Sequence, residues 1–172
     1  MGSGDQDIQE HMFTSQRLAV FADVQNMFYS ARNYYYAKLD FGKLLSAVVR
    51  ERQLIRAVAY VVETKEIDQS GFKSVIEYIG WEVKTKQLKS RPDGSTKGDW
   101  DMGIAIDAIS ISSKVDTIVL VTGDGDFTAL VNHLKASGVR VEVHAFPKNT
   151  ATELIEAATA YYPIDERLLL KK

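Results

Sequence analysis

Two aspartates separated by one glycine stand at the end of an apolar run in residues 118–130, IVLVTGDGDFTAL. The aliphatic run is typical of a buried strand, and Asp124 and Asp126 follow it directly. Carboxylates this close repel each other and raise each other's pKa unless a cation neutralises them. Oxygen ligands of this type suit Mg²⁺ or Mn²⁺, either of which can activate a water for attack on a phosphodiester. Taken alone, GDGDF also fits a loop whose glycines permit an unusual backbone, so hydrolytic chemistry at a metal ion requires further carboxylates beside this pair.

Further polar residues occupy similar positions elsewhere in the chain. Asp23 ends the apolar run RLAVFAD, Asn26 opens the helix that follows, and Asp101 stands near the start of another predicted helix. Ligands of an open parallel sheet sit beyond the carboxyl ends of its strands, so these residues converge if the first and fourth strands are adjacent. A lone aspartate after a strand is more often a turn or helix cap than a ligand. The combined pattern favours a site.

Two other aspartates of KGDWDMGIAIDA have lesser roles. Asp107 follows Asp101 by six residues, and on a regular helix its side chain points well away. We expect Asp107 to support the ligands from behind at most, or to be solvated. Asp99 is expected to cap the helix.

Strands and helices must alternate to position these residues. Strands are predicted at 17–23, 55–64, 81–88, 117–123 and 139–146. Helices are predicted from Asn26 through NMFYSARNYYY and over about 41–51, 70–79, 98–112, 127–137 and 150–160, before the unassigned tail YYPIDERLLLKK. Repeated strand–helix–strand units imply an α/β fold with a mainly parallel sheet of about five strands and helices on both faces.

The composition fits one globular domain without a membrane span. The chain has 172 residues, 45% of them hydrophobic and 26% charged, no cysteine, and a net charge of −2 that gives no support for a nucleic-acid partner. We expect residues 1–11 to be expression-vector sequence, with a natural start near Met12 and a single domain over 12–172. No secretory signal is visible, so a cytoplasmic location is expected.

Two other segments suit contact with a phosphate backbone or with unpaired bases. The first, KTKQLKSRPDGSTK, precedes the acidic residues and can track a phosphate backbone; its basic residues are Lys84, Lys86, Lys89, Arg91 and Lys97. An edge strand protected from aggregation by lysines has at least equal weight. The second, SARNYYYAKL, offers tyrosines on which single-stranded bases stack, although consecutive tyrosines on a helix face different directions and at least one belongs to the core.

Three motifs in this order, FADVQN, KGDWDMGIAIDA and VTGDGDF, resemble the NYN branch of the PIN-like domains, in particular its LabA-like members. The resemblance runs from Arg17 to about Ile164. It implies a Rossmann-like three-layer α/β/α sandwich and a ribonuclease that cleaves RNA, more readily when single-stranded, by water activated on Mg²⁺ or Mn²⁺. The family's domains often pair, so a homodimer is an open alternative.

Carried over by position, the resemblance gives each residue a role. Asp23, Asp101 and Asp124 hold the metal, while Asp126 completes its ligands or orients the attacking water. Asn26 meets the scissile phosphate or a metal-bound water. Asp107 and Thr122, which replaces the family's usual serine, support the ligands. Independently of the resemblance, charge and position in the sequence suggest Lys97, Lys84, Lys86 and Arg91 as substrate contacts, although a lysine before a helix is more often solvated.

Two rival functions stay open. LVTGDGDFT also resembles the haloacid dehalogenase phosphatase signature, which would make Asp124 a nucleophile. That motif belongs on a first strand, and too little chain follows it here. The other rival is a regulatory PIN-like domain that binds RNA or protein with little or no nuclease activity.

Overall fold

The fold is built from strands and helices that alternate along the chain. The computed structural model describes residues 13–63, 70–90, 92, 96–97 and 99–170. Its strands are β1 (Arg17–Asp23), β2 (Gln53–Glu63), β3 (Glu82–Gln87), β4 (Lys89–Ser90), β5 (Thr96–Lys97), β6 (Thr117–Val121), β7 (Arg140–Ala145) and β8 (Ala160–Pro163). Its α-helices are α1 (Val24–Tyr35), α2 (Phe41–Val49), α3 (Ser70–Ile79), α4 (Asp101–Ile111), α5 (Thr128–Ala136) and α6 (Thr152–Ala157).

Six strands form one sheet in the order β3-β2-β1-β6-β7-β8. Every neighbouring pair in it is parallel. The chain moves outward from β1 to β3 and then returns to place β6 on the other side of β1. Right-handed crossovers then put α1–α3 on one face of the sheet and α4–α6 on the other. The predicted α/β fold is confirmed, and β1 and β6 flank the point where strand order reverses.

The sheet has six strands rather than the predicted five. The predicted helix over 150–160 ends early at Ala157, and β8 then pairs with β7 from Glu142↔Ala160 to Ala145↔Pro163. The run TELIEAATA is helix-forming by local propensity, but the open edge of β7 offers hydrogen bonds that only tertiary contact supplies. Pro163 is tolerated because β8 is an edge strand.

The central strands are covered on both faces. All of Leu18–Ala22 in β1 and all of β6 are buried. Such strands read as continuous apolar runs because helices cover both sides of a parallel sheet. This explains why the strands that lead to Asp23 and to Asp124 read as uninterrupted apolar runs.

A short hairpin precedes α4. β4 and β5 pair antiparallel, with Lys89 opposite Lys97 and Ser90 opposite Thr96. The chain therefore reverses direction between Ser90 and Thr96, and most of the residues of that turn lie outside the described part of the structure. Among the helices of the described ranges, none combines the length and the apolar character needed to cross a membrane.

Candidate metal centre at the switch point

Three carboxylates meet where the strand order reverses. Asp101 is the first residue of α4, while Asp124 and Asp126 lie in the loop that follows β6. Each offers one carboxylate oxygen, and these three oxygens all lie within 4.8 Å of one another. Asp101 and Asp124 are partly buried and Asp126 is exposed. We call these three residues the acidic cluster.

Asp23 is fixed beside this cluster by two hydrogen bonds. The Asn26 backbone N–H donates to its Oδ1 at 3.2 Å, which caps the N-terminus of α1. The Thr122 hydroxyl donates to its Oδ2 at 3.2 Å. The Asn26 side chain joins the same loop, because its Oδ1 accepts the Gly123 N–H at 3.0 Å. Asp23 and Asn26 therefore tie the start of α1 to the end of β6.

Burial and repulsion raise the pKa of two carboxylates at this site, those of Asp23 and Asp101. Burial, followed by the charges of Asp124 and Asp99, raises the pKa of Asp23 to about 6, against the opposing hydrogen bonds. Burial and the charge of Asp124 likewise raise the pKa of Asp101 to about 6. A divalent cation would remove this repulsion, so the donor set fits Mg²⁺ or Mn²⁺.

Asp99 adds negative charge beside Asp101 but does not cap α4, because the N-cap residue is Trp100 and makes no side-chain capping hydrogen bond. The Asp99 Oδ1 does accept the Asp101 N–H at 3.3 Å. Its charge also raises the pKa of both Asp23 and Asp101, which the sequence reading did not anticipate. The sequence signal for this effect was that Asp99 stands only two residues before Asp101 in GDWD.

The loop after β6 is tightly organised. Asp124 accepts the Asp126 N–H on its Oδ1 at 2.9 Å, and its own N–H donates to the Thr122 hydroxyl at 3.2 Å. Thr122 thus bridges Asp23 and Asp124, which matches the supporting position predicted for it. Gly123 is required by close packing, because a Cβ there would collide with the Asn149 carbonyl oxygen.

A groove of ≈ 430 Å³ opens beside the cluster. Asn26 and Asp124 line it together with Lys148, Asn149 and Thr150. The sequence reading did not select Lys148 or Asn149. Their place in the sequence could have indicated them, because they come just after the predicted strand 139–146, whose carboxyl end lies at the same edge of the sheet.

The structure brings Asp107 and Lys84 together. Their hydrogen bonds within the described part of the structure do not involve the acidic cluster. Asp107 Oδ2 accepts from the Tyr60 hydroxyl at 2.6 Å and from Lys84 Nζ at 2.8 Å. These hydrogen bonds tie α4 to β2 and β3, and no hydrogen bond among the described residues joins Asp107 to the acidic cluster. Asp107 is therefore neither solvated nor placed to support the ligands through a direct bond.

The other predicted substrate contacts have mixed outcomes. Lys86 lies on the same strand face as Lys84, with its Nζ 4.5 Å from the centroid of the Trp100 ring. Lys97 lies in β5, but its side chain is outside the described part of the structure, and so is the whole of Arg91. Their contact with substrate stays a prediction.

Comparison with known proteins identifies the family. The family model for the NYN domain matches residues 17–165. The chain is 31% identical over 163 residues to the low amplitude and bright protein LabA of Synechococcus elongatus, covering 90% of this chain and 87% of that protein. A crystal structure of VPA0982 from Vibrio parahaemolyticus, a protein of unknown function, superposes with a TM-score of 0.85 at 35% identity, covering 91% and 98% of the two chains. The chain belongs to the NYN domain family.

Proposed function

We propose that this NYN domain is a metal-dependent ribonuclease that hydrolyses phosphodiester bonds of single-stranded RNA. The observation that carries the proposal is the acidic cluster, three carboxylates with oxygens within 4.8 Å at the switch point of a parallel sheet. Their repulsion is uncompensated by any basic side chain hydrogen-bonded to them among the described residues. The repulsion between these carboxylates opposes folding, and a bound cation would neutralise it.

Asp101, Asp124 and Asp126 would hold Mg²⁺ or Mn²⁺, with the carboxylate of Asp23 adding negative charge beside them. When bound, the ion lowers the pKa of a water and neutralises charge on the phosphate. Asp126 is the exposed member, so its carboxylate can accept a hydrogen bond from the attacking water and orient it. The Asp23 carboxylate is oriented by hydrogen bonds from the Thr122 hydroxyl and the Asn26 N–H.

Asn26 is placed to orient the phosphate. Its amide oxygen is engaged with the Gly123 N–H, which leaves the Nδ2 amino group as the donor available to a phosphate oxygen. Asn26 also lines the groove beside Asp124. The side chain is therefore fixed by the same loop that carries two of the carboxylates.

The test is incubation of purified protein with end-labelled single-stranded RNA in Mn²⁺, Mg²⁺ or EDTA, beside the Asp124→Asn variant. A matched control is Glu51→Gln, which neutralises an exposed carboxylate just before β2. We expect metal-dependent cleavage by the wild type and the control, and its loss in Asp124→Asn.

Equal cleavage by wild type and Asp124→Asn would contradict the proposal. RNA binding without cleavage in either metal would favour the alternative, a regulatory RNA- or protein-binding domain with little or no nuclease activity. A cytoplasmic location and a homodimer accompany the proposal as predictions of their own.

A further inference from the structure

We propose that α1 and the segment after β7 form a binding track for single-stranded nucleic acid, in which Lys148 contacts a phosphate and Tyr34 stacks on a base. The track leads away from the groove that Asn26 and Asp124 line. This inference rests on the proposed function, because the track is taken to extend the path of the substrate away from the acidic cluster.

The segment that carries Lys148 is held on three sides. Asn149 Nδ2 donates to the Ser30 hydroxyl of α1 at 2.6 Å. The Ala151 N–H donates to the Gly123 carbonyl at 2.9 Å, and the Thr150 hydroxyl donates to the Phe146 carbonyl at 2.6 Å. Lys148 is thus an exposed side chain on a backbone fixed by hydrogen bonds, and it lies beside the acidic loop.

Lys148 supplies the positive charge of the groove. It is exposed and lines the groove with Asp124 and Asn26. No carboxylate of the described residues forms an ion pair with it, whereas Lys84 is paired with Asp107 at 2.8 Å. A cation in a groove otherwise lined by an aspartate and uncharged residues matches a phosphodiester, which needs positive charge beside the metal ligands.

The track continues along one stripe of α1. Asn26, Ser30 and Tyr34 are spaced by four residues, so they lie on the same helix face. The first lines the groove, the second holds Asn149, and the third lies with its ring centroid 6.0 Å from Lys148 Nζ. From Asn26 to Tyr34 the helix rises about 12 Å. That is about three stacked nucleotides at roughly 3.4 Å each.

The aromatic surface favours an unpaired strand. Tyr34 is 40% exposed, whereas Tyr35 packs its ring on Phe146 with centroids 5.4 Å apart. Phe28 and Tyr29 are also exposed on α1, at 39% and 46%. Exposed rings can stack on bases only when those bases are unpaired, so duplex RNA should not use this surface.

The test is the affinity of fluorescein-labelled 12-mer RNA, DNA of the same sequence and duplex RNA, measured by anisotropy in EDTA and in Mg²⁺, with integrity checked on a gel. The variants are Lys148→Ala, Tyr34→Ala and Tyr34→Phe. Matched controls are Lys43→Ala on α2 and Tyr78→Ala on α3, both exposed residues on other helices. Thermal unfolding confirms that each variant is folded.

We expect Tyr34→Ala to weaken single-strand binding about five- to hundred-fold, with Tyr34→Phe close to wild type. Lys148→Ala should lower the magnitude of the slope of log affinity against log salt by about 0.7, and Lys43→Ala should not. The affinity for duplex RNA should be the same in Tyr34→Ala as in the wild type. Comparing RNA with DNA decides whether the 2′-hydroxyl contributes.

Equal effects in the track variants and the controls, or no binding of any single strand, would overturn the track. Cleavage by a wild type whose track variants bind and cleave normally would overturn the track and leave the proposed nuclease standing. Single-strand binding that the track variants weaken, without cleavage in any metal, would support the track and contradict the proposed nuclease.

Discussion

At the scale of single residues, the residue types of the loop TGDGD are explained by the contacts that each position makes. Thr122 holds Asp23 and the backbone of Asp124, and the glycines allow close approach of the chain after β7. Neither Gly123 nor Gly125 has a positive φ; among the described glycines, that conformation belongs to Gly80 and Gly138. The unusual backbone considered for this loop is therefore absent, and space is what requires glycine.

Asp101→Asn should make the metal-free protein more stable at pH 7.5. The pKa of Asp101 is raised from 3.8 to about 6 in the folded state, chiefly by burial, so the folded protein binds the proton more tightly than the unfolded chain. That contribution to stability is present below about pH 4 and is lost as the pH rises through about 6. Thermal midpoints from pH 4 to pH 8 in EDTA should fall more steeply for the wild type than for the variant.

At pH 7.5, Mn²⁺ should raise the midpoint of the wild type and raise that of Asp101→Asn much less, because ligand binding to the folded state stabilises it. The wild-type gain should shrink below about pH 6, as Asp23 and Asp101 become protonated. Parallel pH profiles and equal Mn²⁺ responses would contradict the placement of Asp101 in the cluster.

Gly123→Ala should destabilise the protein by about 1–3 kcal/mol, because the added methyl group forces the Asn149 carbonyl to move. Gly71→Ala is the matched control, since a Cβ at that position of α3 meets nothing within 4 Å. The control should be stabilising by about 0.5–1 kcal/mol, through helix propensity. Urea unfolding measures both, and similar changes for the two variants would contradict the packing argument.

At the scale of elements, α4 is positioned by its flanking aromatic residue. The Trp100 indole donates to the Val61 carbonyl at 3.0 Å, and its ring lies 5.3 Å from that of Tyr60. A Cβ at Gly103 would come within 2.6 Å of the Trp100 ring. The WDMG stretch therefore serves as an anchor that sets where α4 begins, and so where Asp101 points.

Asp107→Ala should destabilise the protein by about 1–3 kcal/mol, since the hydroxyl of the fully buried Tyr60 loses its acceptor. The role is structural, so the Mn²⁺-induced shift in thermal midpoint should stay that of the wild type. Loss of that shift in a folded Asp107→Ala variant would restore the sequence-based expectation that Asp107 supports the ligands.

At the scale of the whole molecule, a buried ion pair joins the two halves of the sheet. Arg52, which precedes β2, donates to both oxygens of Glu142 in β7 at 2.8 and 2.9 Å, and neither side chain is exposed by more than 1%. Arg140 donates to Glu142 at 3.1 Å as well. Burial raises the pKa of Glu142, but His144, Arg52 and Arg140 together hold it far below its usual range.

Glu142→Gln should destabilise the protein by about 3–5 kcal/mol, because it leaves buried positive charge without its counter-ion. Arg52→Met combined with Glu142→Leu should recover much of that loss. Asp165→Asn, which removes the exposed partner of Arg167, should leave the urea midpoint unchanged. A loss no larger in Glu142→Gln than in Asp165→Asn would show that the pair contributes nothing.

Local pattern alone determined the alternation of strands and helices and the positions of the aspartates at their ends. Apolar periodicity and the start of a helix are properties of neighbouring residues, so β1, α1, β6 and the placement of Asp23, Asp101 and Asp124 could be predicted from sequence. The family motifs added the identity of the domain.

Tertiary structure decided what depends on residues far apart in the chain. Pairing of β1 with β6 brings Asp23 to Thr122, the free edge of β7 recruits β8, and Asp107 takes Lys84 as its partner. Lys148 reaches the groove only because β7 ends at the same sheet edge as β6. Each of these contacts depends on which strands are neighbours, and strand order is set by packing of the whole sheet rather than by any local run of residues.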